Sequence, residues 1–91
     1  MDDKDAADVV RLMQTTSPVE VGATFARLQR DPVVGPPSSD GLAYIERLFR
    51  RRGCRGVEMA ARALRLGMPE ERVVAISTAY TARLLESARA A

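Results

Sequence analysis

The stretch PEERVVAISTAYTARLL, residues 69–85, decides the fold. Pro69 stands where a first helical turn needs no donor, Glu70 and Glu71 complement the positive end of a helix dipole, and Arg83 and Arg89 lie toward the negative end. Val73, Ile76, Tyr80 and Leu84 recur at helical spacing and form one apolar face, while Val74, Thr81 and Leu85 form a second. Two apolar stripes on one helix are more than a surface helix requires. Either the helix is central to a bundle, or its second stripe meets another chain.

Upstream, Val57, Ala60, Ala61 and Leu64 give a fourth helix from about Gly56 to Leu66, ended by Gly67. Ala63, Gly67, Val73 and Ile76 match the spacing of a helix-turn-helix, with a small residue, a turn glycine four residues later, and apolar residues six and nine beyond it. Asp40 or Ser39 is expected to cap a third helix running to about Arg52, with Leu42, Ile45, Leu48 and Phe49 inward. Ser17-Pro18-Val19-Glu20 reads as a capping box that starts a second helix, with Val21, Phe25 and Leu28 inside; Gly22 interrupts it at roughly 1 kcal/mol relative to alanine. A short first helix over about 5–14 carries Ala6, Val9, Val10 and Met13. The segment 31–40 contains three prolines and two serines and is expected to cross the surface as an extended loop. The reading is an all-α fold, a compact bundle of about five short helices whose last three form a helix-turn-helix-like unit, in one domain over residues 1–91.

Charge is unevenly spread. Residues 1–46 hold four bases and eight acids, a net of −4, whereas residues 47–91 hold ten bases and four acids, a net of +6. Seven bases fall between Arg47 and Arg65 against one acid, Glu58. Arg50, Arg51, Arg52 and Arg55 crowd around Gly53, and Asp2, Asp3, Asp5 and Asp8 are available as an internal counter-charge that would mask them. Arginine outnumbers lysine thirteen to one, as in bacterial chains of GC-rich coding.

The inventory argues against catalysis. There is no histidine, one cysteine, no glycine-rich phosphate loop and no distinctive carboxylate pair, so no enzyme, cofactor or metal site is expected. Cys54 excludes an internal disulfide. An acidic start and the lack of a long apolar run point to the cytoplasm rather than a membrane.

What remains is binding. The primary expectation is a small regulatory protein docking on a larger protein, such as a transcription factor or a secretion component, or on a second copy of itself. Val74, Thr81 and Leu85 would be buried against the partner, and Arg50, Arg51, Arg52 and Arg55 would steer encounter. The alternative is a helix-turn-helix DNA-binding regulator with those arginines on phosphates and Arg72 and Thr78 near bases. Glu70 and Glu71 at the head of the would-be recognition helix weigh against it, because they repel phosphates.

Overall fold

The computed structural model describes residues 1–90, and among them every regular element is helical: α1 Asp3–Met13, α2 Pro18–Gln29, α3 Gly35–Phe49, α4 Arg55–Leu64 and α5 Glu70–Arg89. The helix starts follow local chemistry. Asp2 accepts from the Asp5 amide at 2.8 Å and the Asp5 carboxylate accepts from the Asp2 amide at 3.4 Å, so a reciprocal capping box opens α1 two residues before the expected start. Ser17 accepts from the Glu20 amide at 3.2 Å and Pro18 takes the first helical position of α2, which is the forward half of the expected box. Pro69 caps α5.

The expected loop over 31–40 is a correction. Only residues 31–34 form a turn, and α3 begins at Gly35, several residues before Asp40. Asp31 organises the turn: its carboxylate accepts from the amides of Val33 and Val34 at 2.7 and 3.1 Å, and its carbonyl accepts from Gly35 at 2.8 Å. Pro36 and Pro37 then occupy the first turn of α3, where backbone amides have no helical acceptor and a missing N–H costs nothing. The bias of pre-proline residues away from helix is outweighed by that tolerance. Gly35 is buried against the end of α2, where an added β-carbon would lie 2.6 Å from the Gln29 carbonyl oxygen. The far end of α3 is also shorter than expected, stopping at Phe49 rather than Arg52.

The helices pack as two pairs, α1 against α4 and α2 against α5, in a body 43 Å long and about 20 Å across. At 1.5 Å per residue, the twenty residues of α5 span about 30 Å, so α5 serves both ends. One core cluster gathers Val10, Phe49, Val57, Ala60 and Val73 from α1, α3, α4 and the front of α5. The other holds Leu42, Leu84, Leu85 and Ala88, closed by Val21 and Phe25 of α2. Tyr80 packs on both and its hydroxyl shares a 2.6 Å hydrogen bond with that of Thr16. Leu28, expected inside, is exposed.

This arrangement answers the question posed by the two stripes. Thr81 is fully buried and Leu85 nearly so, while Val74 is half-buried, so the second stripe is covered mainly by the chain's own helices. The Thr81 hydroxyl is enclosed without a hydrogen-bond partner, whereas Ser77 one turn earlier donates to the Val73 carbonyl at 2.7 Å. Thr81→Val keeps the shape and removes the orphaned oxygen, so it is expected to leave stability unchanged or raise it by up to about 1 kcal/mol in chemical denaturation.

The helix-turn-helix signature is not built as expected. Ala63 is exposed rather than packed on α5, and Gly67, in the α4–α5 turn, does not adopt a left-handed conformation.

Candidate functional surfaces

The seven arginines that made the sequence conspicuous are divided by the fold. Arg52 forms a fork with Glu71, at 2.7 and 2.5 Å, with Glu70 4.0 Å away. The two glutamates that argued against DNA reading thus neutralise the centre of the cluster. Arg62 forms another fork with Asp3, at 3.1 and 3.0 Å. Glu46 pairs with Arg89 at 3.0 Å and lies within Coulombic reach of Arg50 and Arg51. The acidic N-terminal segment therefore does not mask residues 50–55: Asp3 serves α4, Asp8 pairs with Arg11, and Asp2 and Asp5 cap α1.

These pairs hold carboxylates charged. The hydrogen bond from Arg62 pulls the Asp3 pKa below its ordinary value, that from Arg89 lowers Glu46, that from Arg52 lowers Glu71, and the Val33 and Val34 amides lower Asp31. Each group is more acidic folded than unfolded. Their contribution is therefore fully present above the unfolded carboxylate range and lost as pH falls through the folded values. Thermal melts are expected to be level from pH 6 to 8 and to fall below about pH 4. Asp3→Asn should flatten part of that fall, and added salt should shrink it, because the pairs are exposed.

Of the residues expected to bind a partner, only some come together. Val74 and Arg52 share a cleft of about 280 Å³ between α4 and α5, with Arg62, Arg65, Glu58 and Glu70 on its walls. Arg55 opens onto a different cleft, between α3 and α4. Thr81 and Leu85 are inside and unavailable. Of the residues placed near DNA bases, Arg72 is exposed, but Thr78 is half-buried and donates to the Val74 carbonyl at 2.7 Å. Cys54 sits half-buried at the head of α4 and packs against the first core cluster. Among the described residues no group of three or more His, Cys, Asp or Glu side chains could hold a metal, and no helix is long and apolar enough to cross a membrane.

A surface that the sequence reading missed lies where the two core clusters join. A groove of about 260 Å³ runs between Val9, Leu12 and Met13 of α1, Val21 and Phe25 of α2, Ile45 of α3, and Tyr80 and Leu84 of α5. No charged side chain lines it, and the hydroxyls of Thr16 and Tyr80 are bonded to one another. Leu12 stands on its rim, 61% exposed. Its signal in the sequence is an extra large apolar residue beside the inward stripe of a short helix. Tyr44 and Arg47 were also missed: at i, i+3 on α3, the guanidinium of Arg47 lies over the Tyr44 ring, 5.5 Å from its centre.

By its architecture the chain is an all-helical, two-pair bundle bearing an apolar groove and arginine-walled clefts. Comparisons with protein-family models, with curated proteins and with solved structures find no match.

Proposed function

We propose that this chain is a small non-enzymatic regulatory protein that acts by docking on a larger protein, and that the groove between α1, α2 and α5 receives one apolar face of a partner helix. The single observation that carries this reading is the groove itself: charge-free walls, with Leu12 left on the rim by its own fold. Its volume of about 260 Å³ is small for a whole cofactor and suits one or two large side chains, such as the i and i+4 anchors of an amphipathic helix.

The residues offered for contact are Leu12, Val9 and Val21, in place of the enclosed Thr81 and Leu85. A photoreactive residue at position 12 tests this in the native host. The expected product is a cross-link to one larger protein, whose purified form binds the wild-type chain and loses at least about tenfold affinity for Leu12→Asp. A cross-link only to a second copy of the chain, with a mass that rises with concentration, would replace the larger partner by self-association. Unchanged affinity of the purified partner for Leu12→Asp would remove the groove from the mechanism.

A further inference from the structure

The counter-charges of the arginine-rich segment leave one place unanswered. Arg52 and Arg62 are forked to carboxylates, Arg50 and Arg51 lie near Glu46, and Arg65 shares the α4–α5 cleft with Glu58 and Glu70. Arg47 and Arg55 have no salt bridge among the described residues. They nonetheless wall the same cleft between α3 and α4, about 380 Å³ in volume, together with Tyr44, Leu48, Met59 and Met1. No carboxylate lines it. Glu58, one turn beyond Arg55 on α4, lines the other cleft. Two cations brought to one opening without an anion repel each other, so a ligand that supplies negative charge there gains what the fold leaves unsatisfied.

The rest of the wall restricts the ligand further. Tyr44 is 46% exposed with the Arg47 guanidinium over its ring, which together present an aromatic face beside a cation, and Leu48 and Met59 give an apolar floor. Guanidinium and phenol faces stack on nucleobases, and arginines take phosphate in forked hydrogen bonds. We propose that the α3–α4 cleft binds a nucleotide unit, with its phosphate between Arg47 and Arg55 and its unpaired base against the Tyr44–Arg47 pair. A base inside a duplex is stacked on both faces and unavailable, so the source is a single strand or a free nucleotide. This cleft shares no lining residue with the apolar groove, and the two assignments stand or fall separately.

The test is fluorescence anisotropy with a labelled ten-nucleotide single strand at low salt, competed by a mononucleotide, by inorganic phosphate and by the matching duplex. Expected are saturable binding that weakens with salt, a loss of roughly tenfold for Tyr44→Ala, and a larger loss for Arg47→Ala with Arg55→Ala. Tyr44→Phe should retain affinity, as should Arg83→Ala, which alters an exposed arginine outside the cleft. Helical circular dichroism confirms that these surface variants remain folded. A mononucleotide competing as well as the strand identifies a free nucleotide as the ligand; much weaker competition identifies the strand. The proposal is overturned by absence of binding, by affinity indifferent to Tyr44, Arg47 and Arg55, by a duplex binding as tightly as the single strand, or by inorganic phosphate competing as well as the mononucleotide.

Discussion

Phe49→Ala is expected to lower the unfolding free energy by about 3–5 kcal/mol, the usual cost of removing a buried aromatic ring. Phe49 is the largest fully enclosed side chain and comes from the last turn of α3. Its ring rests against Gly56, where a β-carbon would meet ring carbons at 2.9 Å and the Leu48 carbonyl oxygen at 2.7 Å. The first cluster is filled otherwise by alanines, valines, methionines and Leu48, which cannot close over a ring-sized void without moving α1 or α4. At roughly 0.05–0.15 kcal/mol per residue, a chain of this length has about 5–14 kcal/mol in total. The variant should therefore melt at least about 12 °C lower, on the scale of 4–8 °C per kcal/mol for small domains, and be partly unfolded at the low end of that range. A melting temperature within 3 °C of wild type, about 1 kcal/mol or less, would contradict the packing described.

Gly22→Val is expected to be nearly as damaging, for the opposite reason. A β-carbon at position 22 would stand 2.5 Å from the Ser87 β-carbon and 2.7 Å from the Leu84 carbonyl oxygen. One of these is helix backbone and cannot rotate away, so α2 must move off α5 and open the second cluster. Overpacking of this kind costs about 1–3 kcal/mol, and a β-branched residue falls at the upper end. Even Gly22→Ala should destabilise, although alanine is favoured over glycine by about 1 kcal/mol in an unobstructed helix. That sign separates a packed contact from a tolerated interruption. A Gly22→Ala protein more resistant to urea than wild type would mean that α2 does not approach α5 this closely. Ser87→Gly in the same chain should recover part of the loss, since it removes one of the two obstructions.

The glycine had been legible only as an anomaly. In the sequence Gly22 is a helix former's omission in a segment whose start is otherwise well specified by Ser17 and Pro18. Its cause lies sixty-five residues away, at Ser87. The same separation explains the arginines: Arg52 finds Glu71 and Arg62 finds Asp3 across gaps of 19 and 59 residues, which no local pattern reveals. The aspartates had suggested an arm over residues 50–55 because charge can be summed along a chain without knowing direction. Pro36 and Pro37 misled differently. Proline excludes helix interior but not the first turn, and the turn built by Asp31 places them there.

Neighbours three or four residues apart set the helices, because capping, proline placement and apolar spacing act within a single turn; all-helical character and the approximate starts of α1, α2 and α5 were therefore written in the linear order of side chains. Which faces are hidden was settled only when the helices met. Val74, Thr81 and Leu85 form a stripe on paper, yet α5 runs through both clusters, so Thr81 and Leu85 become interior while Leu12 stays outside. Burial depends on the surfaces that distant helices bring, and periodicity along one helix carries no record of them.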